Sequence, residues 1–175
     1  METILFKDKT YYLNGARIYD EYFLEIPRYE AEEILRYYYT QIDYRSLDEE
    51  DILHLIIEVK DAELFNYCLT ITLFALTKYY SFQFKKTVLP IITSCYRLSG
   101  SPQKAIDYWL ENIDYYRDCV SAPVLTSIAA AYCDIGDYAN AKKYANAAYA
   151  FQGGKPEYEN ELTLVYRRIQ KESKL

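Results

Sequence analysis

The chain has 175 residues, about half of them apolar, about a quarter charged, and a net charge of −6. That is long enough for a domain with a proper core and too apolar for a disordered chain. The acidic balance argues against direct nucleic-acid binding, which relies on basic surface.

Gly and Pro are scarce, at five each, which favours long helices over a strand-and-turn fold. Tyrosine is abundant, with 22 copies that fall in runs such as Tyr37-Tyr38-Tyr39, Tyr79-Tyr80 and Tyr115-Tyr116. Neighbours on a helix point about 100° apart, so a triplet cannot bury every ring in one core. Some phenols must meet solvent or a partner. The plainer reading is that Tyr replaces Phe and Leu at core edges, as a base-biased genome would produce.

The charge is uneven. Residues 1–60 hold 14 acidic and 7 basic side chains, whereas residues 61–175 hold 12 and 13. The acidic third reads either as a solvated face or as a surface for a basic partner. Cys68, Cys95, Cys119 and Cys133 form no CxxC pair, and His54 is the only histidine. No metal site is expected, and the cysteines read as reduced, buried thiols. The start of the chain lacks a basic, apolar leader, and the run Leu64–Thr77 is too polar and short to span a bilayer. A cytoplasmic protein without membrane contact is the expectation.

Residues 1–28 are expected to form a separate extension. Ile4-Leu5-Phe6, Thr10-Tyr11-Tyr12-Leu13 and Ala16-Arg17-Ile18-Tyr19 are β-prone, with Asn14-Gly15 as a hairpin turn. An irregular helix broken at Gly15 is the alternative, and Pro27 stops what precedes it. Residues 29–175 are expected to be a helical domain. Ala31, Ile34, Leu35 and Tyr38 share one helix face over Tyr29–Ile42. Ser46-Leu47-Asp48-Glu49 reads as a capping box for a helix to about Glu58. Asp61 is read as the cap of a helix ending near Thr77.

Helices are then predicted over Phe84–Leu98, from Pro102 to about Tyr116, over Ala122–Ile135, and from Asp137 to about Phe151. Gly100 and Gly136 end the first and third, as C-terminal glycines do. Ser101-Pro102 and Asp137 restart the chain. Gly153-Gly154 ends the fourth helix, and Pro156 opens a last one with Arg167, Arg168 and Lys171 on its outer side.

Tyr96, Gly100 and Ala105 recur 36 residues later as Tyr132, Gly136 and Ala141. A fixed period of this size marks a repeat architecture. Leu125, Ile128, Ala129, Tyr132, Ala141, Ala145 and Ala148, with Leu89, Ile92, Thr93, Tyr96, Ala105, Trp109 and Asn112 before them, resemble tetratricopeptide repeats. The likeness is good over residues 85–152 and loose over 30–172, with Gly153 where proline is usual. The family's period is about 34, so the helices or loops here are slightly long. Residues 48–77 look like a degenerate third pair, without a glycine at its turn.

The resemblance implies a mainly α fold of antiparallel helix pairs, an α-solenoid, that binds a protein or peptide in its groove. It puts Thr87, Pro90, Ile91, Ser94 and Arg97, then Pro123, Thr126, Ala130, Cys133 and Asp134, on the groove. One subclass clamps a C-terminal carboxylate with Lys and Asn. Here Arg97 is the only cation and Asn is missing, so no such clamp is expected.

No catalytic constellation emerges. His54 has no nucleophile to serve, and Glu32-Glu33 and Glu49-Glu50 diverge on a helix. Gly153-Gly154-Lys155 lacks the rest of a phosphate loop. No cofactor is expected, and the leading expectation is a non-enzymatic adaptor. An acidic inhibitor or decoy, of a kind viruses use, would fill a partner's basic cleft with Tyr37, Tyr38, Tyr39, Glu32 and Glu33. A free-standing peptide sensor and a self-associating repeat stack are the remaining alternatives.

Overall fold

The computed structural model describes residues 1–153 and 161–172. It is mainly helical, with a small antiparallel sheet at the start: β1 (Glu2–Phe6), β2 (Lys9–Asn14) and β3 (Arg17–Tyr19), in that spatial order. Eight helices follow among the described residues. They are α1 (Arg28–Thr40), α2 (Glu49–Asp61), α3 (Phe65–Lys78), α4 (Phe82–Leu98), α5 (Pro102–Asn112), α6 (Ala122–Asp134), α7 (Tyr138–Phe151) and α8 (Glu161–Glu172). The expected start of α8 at Pro156 lies outside the described residues.

The chain divides into two compact units, Met1–Ala75 and Leu76–Leu175. The expected boundary at residue 28 is not the division, because β1 and β3 both pack on α1. Ile4, Leu13 and Ile18, one from each strand, are buried, as are Ala31, Ile34, Leu35 and Tyr39 of α1. Alternation along a strand puts one side chain in two on the helix side, which fixes the register. Leu13 faces Ile18 across the second turn.

That second turn uses Gly15 at φ 60°, as Asn-Gly suggested. The first turn was not visible in the sequence. Lys7 and Asp8 both take positive φ, 50° and 62°, the geometry that suits a two-residue hairpin. The true cap of α2 is Asp48, whose carboxylate accepts from the backbone N–H groups of Glu50 and Asp51 at 3.0 and 2.9 Å. Ser46 donates instead to the carbonyl of Asp43, so the Ser46–Glu49 capping box does not form. Asp61 is the last residue of α2 and caps nothing.

The ends of α2, α4 and α6 share one construction. At the end of α4, the N–H of Gly100 donates to Arg97 O and that of Ser101 to Tyr96 O. At the end of α6, Gly136 donates to Cys133 O and Asp137 to Tyr132 O. The end of α2 repeats both bonds, from Glu63 to Lys60 O and from Leu64 to Val59 O. These paired bonds satisfy the carbonyls a helix leaves open, and they need a left-handed residue. Gly100 and Gly136 have φ 81° and 80°, and Glu63 takes φ 60° in the same role. The turn that lacked a glycine is therefore built as the other two are.

In Leu76–Leu175, α6 is the centre. It packs against α4, α5, α7 and α8, and every residue from Val124 to Cys133 is buried. Small side chains at Ala129, Ala130, Ala131, Ala141, Ala145 and Ala148 let helices approach closely. The 36-residue echo extends to ring pairs. Tyr96 packs on Tyr108 at 5.9 Å, and Tyr132 stacks on Tyr144 at 5.4 Å. Trp109 Nε1 donates to Tyr144 Oη at 3.3 Å. Helix α5 stops at Asn112, short of the expected Tyr116, and a 3-10 turn, Arg117–Cys119, follows. The break lets Tyr116 turn inward, where its hydroxyl meets that of Tyr108 at 2.7 Å.

Candidate interaction surface

The expected groove positions are largely covered or engaged within the chain. On α6, Thr126, Ala130 and Cys133 are buried. Helix α8 packs on α6, with Leu162, Val165 and Ile169 in the same buried cluster. The Cys133 thiol is pushed up by burial, an effect the nearby Arg168 guanidinium opposes. On α4, Ile91 is buried, and Thr87 and Ser94 are half-buried with their hydroxyls bonded to Gln83 O and Ile91 O.

The groove's charges are also engaged. Arg97, with its side chain 15% exposed, reaches Asp134 at 3.7 Å and pairs with Glu161 of α8. Asp134 accepts from Arg168 at 2.7 Å. Arg168 thus faces α6 and not the outer side. These four groups link α4, α6 and α8, so Arg97 and Asp134 act within the chain.

The Tyr37–Tyr39 run is likewise spent on internal packing. Tyr39 is buried, and its phenol is pushed up mainly by burial, then by Glu58 and Glu2. Tyr38 donates its hydroxyl to Glu2. Tyr37 rests on Phe6 with ring centroids 5.2 Å apart. Glu33 pairs with Lys7 and Glu32 with Arg36, both at 2.8 Å. Of the expected acidic tyrosine face, Tyr37 stays 41% exposed, and Glu32 and Glu33 stay exposed while paired.

The exposed aromatic surface of this unit lies elsewhere. Between β3 and α1 the chain makes a tight turn, Asp20–Glu25. Asp20 Oδ1 accepts from the N–H groups of Tyr22 and Leu24, each at 2.9 Å. The Asp20 N–H donates to Leu24 O, and Phe23 N–H to Asp20 O, both at 3.0 Å. Asp side chains close such turns well, because the carboxylate replaces a backbone acceptor. Tyr19 and Glu25 bridge the base.

The turn holds Phe23 at φ 61°. A bulky residue there is strained, and such strain collects where a chain must present a side chain in a fixed way. Phe23 stacks on Tyr12 at 4.6 Å. Tyr22, Phe23 and Leu24 are nevertheless 74, 59 and 65% exposed, and Tyr29 nearby is 76% exposed. Beside them lies a cleft of about 340 Å³ between Tyr11, Asp20, Glu21, Tyr22, Ile26 and Glu30. The hint in the sequence was three large apolar residues in a row, Tyr22-Phe23-Leu24, between Glu21 and Glu25.

His54 is exposed on α2, and the four cysteines are free and buried. Among the described residues, no group of three or more His, Cys, Asp or Glu side chains is placed to hold a metal ion. No helix of the described residues is long and apolar enough to cross a membrane. Comparison with family models, with curated proteins and with solved structures returned no match for this chain.

Proposed function

We propose that the chain is a non-enzymatic protein-binding module of tetratricopeptide-like build, acting as an adaptor, with the Asp20–Glu25 turn as its contact point. The carrying observation is the exposure of Tyr22, Phe23 and Leu24 on a backbone closed by four hydrogen bonds. Contiguous apolar surface rimmed by polar groups marks interaction sites. Aromatic anchors on a rigid turn contribute binding energy without an ordering cost. The repeated turns and ring pairs support the tetratricopeptide-like part of the reading. The four buried free thiols favour a reducing, cytoplasmic setting.

The test is capture of a partner by the wild-type chain and by Tyr22→Ser/Leu24→Ser. Loss of the captured protein, with an unchanged melting curve, supports the turn. Retention of the partner by this variant and its loss on Tyr37→Ser returns the interface to α1. A partner lost from both, or from neither, sinks the proposed site.

The decoy reading has one observation in its favour. Met1–Ala75 carries 16 acidic and 7 basic side chains, a net of −9. Binding that collapses as salt rises from low to about 0.5 M supports that reading, because salt screens exposed charge. Salt-insensitive binding supports the apolar turn.

A further inference from the structure

The unit Leu76–Leu175 carries a second exposed aromatic cluster, and its charge is opposite. Tyr80 and Phe82 stand at the start of α4, 74 and 52% exposed. Lys86 Nζ sits 5.7 Å from the Phe82 ring centroid, and Lys85 Nζ sits 4.7 Å from that of Tyr115. Tyr115 is 48% exposed. It is held edge-on against the buried Tyr116 at 4.8 Å, and Tyr116 is anchored through its hydroxyl to Tyr108. No carboxylate pairs with Lys85 or Lys86 among the described residues. The unit as a whole holds 13 basic and 10 acidic side chains, a net of +3.

Such a surface suits an acidic segment that also carries aromatic side chains. Each lysine offers its ammonium to a carboxylate while its stem and the ring beneath accept apolar contact. The Asp20–Glu25 turn has that composition. Asp20, Glu21 and Glu30 line the cleft with Tyr22, against a single cation, Lys9, and Phe23 and Leu24 are exposed on the same turn. Its unit carries −9 against +3 for the unit bearing the lysines.

We propose that the Phe82–Lys85–Lys86–Tyr115 patch takes the acidic aromatic turn of a second copy of this chain, giving head-to-tail self-association. The proposal rests on the reading of Asp20–Glu25 as a docking surface. Two different surfaces meet in such a contact, so it extends to further copies unless the rotation closes a ring. Both surfaces are fixed before they meet, one by its hydrogen-bonded turn and the other by the tyrosine contacts behind Tyr115. Little ordering opposes association. The self-contact occupies the surface a foreign partner would use, so the two compete.

The test is sedimentation of the full chain over a range of concentrations, at low salt and at about 1 M salt, where the screening length is about 3 Å. The wild type is expected to associate at low salt and to dissociate at high salt. Lys85→Glu/Lys86→Glu and Glu21→Lys/Glu30→Lys are each expected to weaken association at least about tenfold, through like-charge contact. The fourfold variant, with both pairs exchanged, is expected to regain it to within a few-fold. Glu21, Glu30 and Lys86 are exposed and Lys85 is half-buried, and the thermal melt of each variant shows that it folds. A wild type that sediments as a monomer at every concentration overturns the proposal. So does a fourfold variant that associates no better than either double variant. A monomeric wild type that still loses a foreign partner on Tyr22→Ser/Leu24→Ser sinks self-association alone and leaves the proposed function standing.

Discussion

Both units hold packed and exposed tyrosines, but they arrange the packed ones differently. In Leu76–Leu175 tyrosines lean on one another: Tyr96 on Tyr108, Tyr108 on Tyr116, Tyr116 on Tyr115, and Tyr132 on Tyr144. Their hydroxyls are bonded within the chain at Tyr108, Tyr116 and Tyr144. In Met1–Ala75 the tyrosine contacts include the separate pairs Tyr38–Tyr39 and Tyr44–Tyr67, while Tyr22 and Tyr29 are about three-quarters exposed, as Tyr80 is in the other unit. The difference teaches that a tyrosine count says nothing about binding. What decides is whether the ring finds a neighbour and the hydroxyl a bond inside the fold.

The largest expected effect tests that difference directly. Trp109 is buried and donates to Tyr144, so Trp109→Ala should cost about 3–5 kcal/mol in urea unfolding, from lost burial and the cavity left behind. Tyr22→Ser should stay within about 0.5 kcal/mol, the range of ordinary surface changes. A loss at Tyr22 as large as that at Trp109 would show that the exposed ring is structural, and the comparison would fail.

Tyr116→Phe should have an intermediate effect. It removes one buried hydroxyl from the Tyr108–Tyr116 pair, at about 1 kcal/mol. It also has a pH signature. Burial, then the bond to Tyr108, raises the Tyr116 pKa above the ordinary value of 10.0. The neutral phenol's contribution is therefore complete below pH 10.0 and is lost as the pH rises through the higher folded value. Circular dichroism against pH should show a shallower alkaline loss for Tyr116→Phe than for the wild type. Identical alkaline limbs would remove Tyr116 from the account of that loss.

Helical content, the strands and the paired helices about Gly100 and Gly136 were legible in the sequence, because apolar spacing and breakers are local signals. The closure of the groove was not. It depends on where α8 packs, and the spacing of Leu162, Val165 and Ile169 gives an apolar face without naming what that face covers. Tyr37–Tyr39 misled for the same reason: three rings in a row must diverge, yet Phe6 and Glu2, more than thirty residues away, receive two of them. The Asp20–Glu25 turn depends on the Asp20 carboxylate accepting from the N–H groups of Tyr22 and Leu24, and on a positive φ at Phe23 between them. Composition carries no mark of that.

The smallest effect bears on how far the turn construction at the ends of α4 and α6 extends into the acidic unit. If the end of α2 is the same structural turn as the ends of α4 and α6, Glu63 carries the strain that glycine avoids at positions 100 and 136. Glu63→Gly should then stabilise the chain by about 0.5–1 kcal/mol, the usual advantage of glycine at a left-handed helix end less its greater freedom when unfolded. The change also removes an exposed ion pair with Arg28 at 3.4 Å, whose contribution is about 0–1 kcal/mol. Arg28 keeps its hydrogen bond to the carbonyl of Ala62, so the turn loses little support. The mirror change, Gly136→Ala, should cost about 1 kcal/mol, since its Cβ meets open space and only the backbone conformation opposes it. Opposite signs in thermal melts of these two variants would make the three turns one design. A loss of stability on Glu63→Gly would mean that the glutamate side chain holds that turn, and the likeness between the two units would then stop at their hydrogen bonds.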